Sequence, residues 1–221
     1  MKAKLVLFFL LINCSLAYSQ IVKSIGIKTG VSLSNQDWLH TAFYDRNFEV
    51  LPGVYGAITA DIVSKEFWEL SLDLGYYQSR SKNVRNKYSL NTQETNYDIN
   101  FRFDFITISP ILRFKTKLKA FTPYIFTGPR MDYYIPELNN DNIIYFKEDI
   151  NKPIFGFTIG EGLAYGFKNI SIFAEYQFFY SFTYLIDQPA LFATSTISRD
   201  RVKFNSHIIN LGIKYHFKNK D

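Results

Sequence analysis

From Ser24 to Phe217 the chain breaks into eight stretches in which apolar residues recur at every second position, and the connections between them are long and short in strict alternation. Period two is the spacing of side chains on one face of a β-strand. The stretches therefore read as strands, and none carries a capped helical stripe. The first sets Ile25, Ile27, Thr29, Val31 and Leu33 against Ser24, Gly26, Lys28, Gly30 and Ser32. The second runs about 54–63. The third sets Trp68, Leu70, Leu72, Leu74 and Tyr76 against Glu69, Ser71, Asp73, Gly75 and Tyr77. The fourth covers Ile99 to Lys115, the fifth Phe121 to Ile135 and the sixth Ile154 to Phe167. The seventh alternates Ile172, Ala174, Tyr176 and Phe178 with Ser171, Phe173, Glu175 and Gln177. In the eighth, His207, Ile209, Leu211, Ile213, Tyr215 and Phe217 alternate with Ser206, Ile208, Asn210, Gly212, Lys214 and His216.

Short connections fall at Ser64-Lys65-Glu66, at Thr116 to Lys119 and at Lys168-Asn169; the long ones cover about 34–53, 80–98, 136–152 and 182–203. In a run of neighbouring hairpins this alternation places every long loop at one end and every tight turn at the other. An even strand number also lets the first strand pair with the last. The expected fold is all-β: an up-and-down antiparallel transmembrane barrel of eight strands, with four long external loops and three short periplasmic turns. Four loops of such length are uncommon in a compact soluble domain.

The two faces differ chemically. One is Ile, Leu, Val, Phe and Tyr for most of each strand; the other repeatedly holds Gly, Ser and a charge. A lipid-facing Lys or Arg near the bilayer midplane costs roughly 2–4 kcal/mol. The charged face is therefore assigned to the interior, where Lys28, Asp61, Asp73, Arg113, Arg130, Glu175 and Lys214 are expected to form one charge network. Eight strands enclose space for little beyond side chains, so an open pore is not expected, and Gly26, Gly30, Gly75 and Gly212 keep the lumen from overfilling.

Two segments read less cleanly. In the sixth, Glu161 is in phase with Phe155, Phe157, Ile159, Leu163 and Tyr165 while glycines occupy the other face. Either a bulge shifts the register there, or Glu161 points inward and the glycines meet lipid. In the fourth, phase is lost between Phe105 and Ile106, which suggests a bulge, and Pro110 cannot donate to a ladder. Aromatic residues make up 18% of the chain, enough to supply girdles at both membrane interfaces. Trp68, Phe121, Tyr124, Phe167, Tyr215 and Phe217 are expected at the turn end, with Tyr76, Tyr77, Tyr133, Tyr134, Tyr180 and Tyr184 at the loop end.

The first residues supply the route to such a membrane. Lys2 and Lys4 precede the apolar run Leu5 to Ile12, and Ala17-Tyr18-Ser19 offers small residues where a signal peptidase reads. The run is too short to span a bilayer as a helix. Residues 1–19 thus read as a cleaved signal peptide and 20–221 as the outer-membrane barrel domain. Cys14, the only cysteine, leaves with the leader, so no disulfide or thiolate site is expected. The formal charge of +5 falls to +3 without Lys2 and Lys4. The basic run Lys115 to Lys119 sits in a tight turn as a solvated stretch, and nucleic-acid binding is not expected.

No catalytic, cofactor-binding or metal residues are assigned. Of His40, His207 and His216, the last two fall on opposite faces of one strand, and no serine and carboxylate join either as nucleophile and orienter. The oxygen-rich stretches Leu138 to Asn142 and Lys147 to Asp149 lack the spacing of a calcium loop. The reading is a non-enzymatic barrel acting as a binding or structural module through its loops or periplasmic rim. Its partners would be outer-membrane lipid and lipopolysaccharide, and a protein or surface ligand at the external loops. Transport of a small solute and a lipid-modifying activity are the alternatives.

Several short runs also carry a family resemblance. They are Gly26-Ile27-Lys28-Thr29-Gly30-Val31-Ser32, Leu70 to Tyr76, Ile106 to Phe114 with its central Pro110, Pro123-Tyr124-Ile125-Phe126-Thr127-Gly128-Pro129, Phe173 to Tyr176, and Leu211 to Phe217. Together they resemble the PorT-like outer-membrane β-barrel family of Bacteroidota, across nearly all of the mature chain. The resemblance implies an architecture and no particular activity. The chain departs from the pattern of a terminal aromatic by continuing four residues past Phe217.

Overall fold

The computed structural model describes residues 22–39, 47–84, 99–136, 153–188 and 200–217. The leader at 1–19, His40 and the oxygen-rich stretches at 138–142 and 147–149 lie outside the described residues. Among the described residues nine strands are formed: β1 (Ser24–Leu39), β2 (Asn47–Ser64), β3 (Trp68–Val84), β4 (Ile99–Lys115), β5 (Phe121–Ile135), β6 (Ile154–Phe167), β7 (Ile170–Ser181), the three-residue β8 (Ile186–Gln188) and β9 (Asp200–His216). Eight of them build the wall, in the order β1-β2-β3-β4-β5-β6-β7-β9, and β1 pairs with β9 to close it. Every pairing is antiparallel.

Paired residues followed once around the wall do not meet their start. From Val63 the ladder leads through Leu70, Leu112, Thr127, Ile159, Phe178, His207 and Leu33 and returns to β2 at Pro52. A closed sheet with this stagger has strands tilted to the barrel axis. β8 is an appendix to the wall. After Ser181 the chain makes a short excursion and rejoins β9 with Ile186 opposite Val202, burying Leu185 and Ile186.

Inside and outside alternate as the sequence predicts over most of the wall. Ile27 is 61% exposed and Lys28, its neighbour, 3%. Leu72, Leu74, Ile172, Ile209, Leu211 and Ile213 also face outward, a band of aliphatic surface that water would not tolerate at this extent. Trp68, Phe121, Tyr165, Phe167, Tyr215 and Phe217 ring its turn end.

Three expectations need correction. β1, β2, β3 and β9 run well beyond the predicted boundaries, up to Leu39, Val84, and back to Asn47 and Asp200. In the extensions of β1 and β3 both faces are polar, with Ser34, Gln36, Ser79 and Ser81 inside and Asn35 and Arg80 outside. The ladder continues where the hydrophobic alternation that reveals it has ended. β4 contains no bulge: its register with β3 is unbroken from Trp68↔Phe114 to Asn83↔Ile99. Phe105 and Ile106 are both apolar because one enters a buried core and the other faces outward. The register shifts lie instead in β2, between Leu51 and Tyr55 and between Asp61 and Val63. Pro110 on β4 stands in the unbridged stretch of the β4–β5 ladder, between Ile108↔Met131 and Leu112↔Thr127. The same register places it opposite Pro129, so neither residue there has an N–H to give.

The third correction concerns β6. Its registers with β5 and β7 are continuous, its glycines face the lumen and Glu161 faces outward. The cause lies inside. A Cβ on Gly160 would run into the Phe126 ring, and one on Gly162 into the Tyr124 ring. β6 is stripped of side chains so that β5 can point aromatic rings inward. Gly212 makes the same room for Phe173.

The outer band makes a depth-dependent prediction. Ile58→Arg, at mid-strand, should lower the unfolding free energy of the vesicle-embedded protein by about 2–4 kcal/mol, and Phe121→Arg at the turn end by about 0–1 kcal/mol. Urea titration followed by tryptophan fluorescence measures both. Equal, small effects would mean that water, not hydrocarbon, covers this wall.

Candidate functional site

The lumen is filled in two layers. The layer nearer the tight turns is ionic, and Arg113 on β4 is its hub. Its guanidinium donates to Asp61 at 3.3 Å, Glu69 at 3.2 Å and Glu175 at 3.3 Å, and to the Ser71 hydroxyl. Lys28 bridges Asp73 at 2.7 Å and Glu175 at 2.8 Å. Lys214 bridges Asp61 at 2.8 Å and Glu69 at 3.1 Å. At the rim Lys115 donates to Glu69 at 2.9 Å and to Ser64 at 2.8 Å. Tyr124 and Gln177 donate to Glu175, and Ser24 to Asp61.

The local sequence explains this convergence. Each charge sits at an inward position of its strand, and the tilt brings β1, β2, β3, β4, β7 and β9 to one level. Four cations, Lys28, Arg113, Lys115 and Lys214, face four carboxylates, Asp61, Glu69, Asp73 and Glu175. A buried ion is tolerated when opposite charge and hydrogen bonds replace its water. Here the formal charges balance and most carboxylate oxygens are bonded.

The second layer, toward the long connections, is aromatic. Tyr77 stacks on Phe105 at 4.9 Å between ring centres, and Phe204 packs edge-on against both Phe103 and Phe105 at 5.5 Å. Tyr134 leans on the same pair. Leu185, Ile186, Val202 and Ile208 complete the core. Where the layers meet, the Arg130 guanidinium lies 4.4 Å from the centre of the Tyr77 ring and 4.2 Å from that of Phe179, and bonds Asp132 at 2.7 Å. Asp132 also accepts from the Tyr77 hydroxyl at 3.0 Å.

Six of the seven residues predicted as an internal network thus meet in one cluster. Arg130 does not join them; it belongs to a separate cation–aromatic cluster with Asp132. Sequence reading missed Glu69 and Asp132, although each shares the inward phase of its strand. It also placed Tyr77, Tyr124 and Tyr134 in the outer girdles. Tyr77 and Tyr134 are instead buried in the aromatic layer, and the Tyr124 hydroxyl reaches Glu175. Polar-in, apolar-out patterning fails wherever a lumen is packed with rings.

His207 and His216 lie on opposite faces of β9. His216 Nε2 is 2.9 Å from the Ser171 hydroxyl at the turn-end rim, and His207 Nδ1 is 2.7 Å from the Tyr176 hydroxyl on the outer wall. The carboxylates Asp61 and Glu69 are engaged by Lys214 and Arg113. Among the described residues, no group of three or more His, Cys, Asp or Glu side chains is placed to hold a metal ion.

No protein-family model and no curated protein sequence matches the chain. Solved structures do. The outer membrane protein OprG from Pseudomonas aeruginosa aligns with a TM-score of 0.51 at 12% identity, over 88% of this chain and 97% of that one. Neisserial surface protein A aligns at 0.48 and 12%, over 87% and 97%. AlkL, an outer membrane protein studied in lipid bilayers, aligns at 0.44 and 10%, over 89% and 92%.

The hub has a measurable weight. Arg113→Met should destabilise the barrel by about 3–5 kcal/mol, because it leaves buried carboxylates uncompensated. Lys115→Met, at the wet rim, should cost under about 1 kcal/mol. Adding Glu175→Gln to Arg113→Met should restore part of the loss. Urea unfolding midpoints in detergent micelles test this, and equal costs for the two single variants would refute the hub. Whatever passes or binds at the ends, the chain has the fold of an outer-membrane β-barrel, and that fold is consistent with an outer-membrane location.

Proposed function

We propose that this protein is a non-enzymatic barrel of the bacterial outer membrane, delivered by a cleaved leader at 1–19, that binds another molecule through its long connections. PorT-like membership among Bacteroidota barrels is part of this reading and rests on the sequence runs from Gly26 to Phe217. The observation that carries the proposal is the double filling of the lumen. An ionic layer around Arg113 and an aromatic layer around Phe105 lie in series along the barrel lumen. A scaffold filled in this way has its variable, accessible surface at the ends, and all four long connections leave from one end. Lipid and lipopolysaccharide surround the wall; a protein or surface ligand is met at the loops.

Transport and lipid modification fit the interior less well. A solute would have to displace rings packed at 4.9–5.5 Å as well as a balanced ion network. The Ser171–His216 contact pairs a hydroxyl with an imidazole, but the interior acids beside that rim are held by cations.

Two measurements divide these readings. In planar bilayers the purified protein should show no conductance steps at any voltage; reproducible ohmic steps would favour transport and end the proposal. Replacing residues 85–98 by a Gly-Ser linker of equal length should leave the heat-modifiable barrel band on gels unchanged. It should abolish cell-surface cross-links made by the intact chain. Cross-links that survive replacement of each long connection in turn would remove the loops from the function.

A further inference from the structure

One carboxylate stands on the outer wall where hydrocarbon belongs. Glu161 is exposed on β6, midway between Phe155 and Phe167, with Ile159 and Leu163 on either side in the same outward row. The other outward charges among the described residues stand near the ends of the wall: Glu49, Arg80, Arg102, Arg201 and Lys203 toward the loops, and Lys65, Glu66, Lys117, Lys119 and Lys168 in the tight turns. No hydrogen bond or ion pair within the described chain engages Glu161. An ionisable group at this depth is costly, and its usual remedy is a partner inside the membrane.

The surroundings say which partner. Glu161 lies directly opposite Tyr176 on β7, and Leu163 directly opposite Ala174. These four flank a groove of about 920 Å³ on the outer wall, bordered also by Ile125 and Ile209. The Tyr176 hydroxyl is 2.7 Å from His207 Nδ1, and the two rings are stacked with centres 6.0 Å apart. When the imidazole Nδ1–H donates to the phenol oxygen, the phenol O–H is left to donate elsewhere. In that tautomer an acceptor without a donor sits beside a donor with capacity to spare. One row toward the turns, a large side chain sits beside a small one.

Such adjacent unlike pairs are self-complementary. Two barrels inserted in the same sense can be related only by an axis along the membrane normal, and a two-fold interface exchanges each residue with its counterpart. With an axis between β6 and β7, Glu161 of each copy faces the partner's Tyr176, and Leu163 faces the partner's Ala174. Strands about 4.8 Å apart and tilted by about 40° put Glu161 and Tyr176 only ~3 Å apart in depth, within side-chain reach. We infer that the β6–β7 face is a self-association surface for a second copy of this chain, held by two symmetric Tyr176–Glu161 hydrogen bonds and by Leu163 seated over Ala174. The groove is then the place where the two walls meet, and the midplane carboxyl is shielded from lipid.

The test uses the chain in phosphatidylcholine vesicles at graded protein-to-lipid ratios, with dimer fraction read by energy transfer between labelled copies. The unmodified chain should dimerise. Glu161→Leu should weaken the dimerisation constant by about tenfold or more, since two membrane hydrogen bonds are lost per dimer. Tyr176→Phe should do the same, and Glu161→Gln, which keeps an acceptor, should lie between. Each variant must retain the heat-modifiable band, so that loss of pairing is separated from loss of fold. In a Cys14→Ser background, Leu163→Cys chains mixed with Ala174→Cys chains should form disulfide-linked pairs faster than Ile58→Cys chains do among themselves. Monomers at every ratio, or cross-linking no faster than the Ile58 control, would overturn the inference. So would a Glu161→Leu chain that pairs as well as the unmodified one.

Discussion

A wall standing in hydrocarbon has nowhere to send an unpaired N–H or C=O group, and that constraint governs the rest of this molecule. Each open edge would leave a row of such groups at several kcal/mol apiece, so the sheet must close. Closure is achieved by β1 and β9, paired continuously from Ser24↔His216 to Leu39↔Arg201. The places where the wall relaxes are those that lose least. Pro110 stands opposite Pro129, where there is no donor to strand, and the shifts in β2 fall next to Gly53 and at Ile62, near the strand's two ends. Stagger follows from closure, tilt from stagger, and the tilt brings inward residues of six strands to the level of Arg113.

The interior then has to be filled, and two chemistries share the task. Charges occupy the turn-side half and rings the loop-side half, with Arg130 between Tyr77 and Phe179 serving both. Space rather than polarity decides which strand contributes. β6 offers Gly156, Gly160 and Gly162 to the lumen because β5 and β7 fill it with Tyr124, Phe126 and Phe179. The barrel is asymmetric inside for this reason, with seven wall strands supplying ions and β6 supplying room.

The wall was largely legible from the chain, since strands four, five and six have the predicted bounds and the alternation of long and short connections fixed the topology. What escaped reading has a common physical origin. Alternation marks a strand only while hydrocarbon lies on one side and a polar lumen on the other. Beyond the band, at Ser34 and Gln36 or Ser79 and Ser81, both sides are polar and the strand continues unseen. Within the aromatic layer both sides are apolar, so Tyr77 and Tyr134 read as girdle residues and Phe105-Ile106 as a slip. The ionic site was legible through six residues because a charge in a strand has one tolerable direction. Glu69 and Asp132 could have been found by the same argument, as each is in phase with an inward neighbour, Ser71 and Arg130. Glu161 could not: its phase was plain, and only the rings of Tyr124 and Phe126 explain why the glycines beside it are the ones facing in.

The ion network contributes less to stability than its size suggests, because desolvation offsets most of the attraction and an apolar filling of equal volume would serve as well. Its stronger effect is on register. A one-residue slip turns every side chain of a strand to the other face. For β1, β3, β7 and β9 a slip would carry Lys28, Glu69 with Asp73, Glu175 or Lys214 into lipid, at several kcal/mol for each strand. In the aromatic half a slip of β5 exchanges Tyr134 for Tyr133 or Ile135 and meets little opposition, although one of β9 would bring Lys203 or Asn205 to the place of Phe204. That half is held by shape instead: Tyr77 on Phe105, Phe204 between Phe103 and Phe105, and the return of β8 onto Val202. Charges specify the pairing near the turns, where hairpins begin, and rings then lock the end from which the long connections leave.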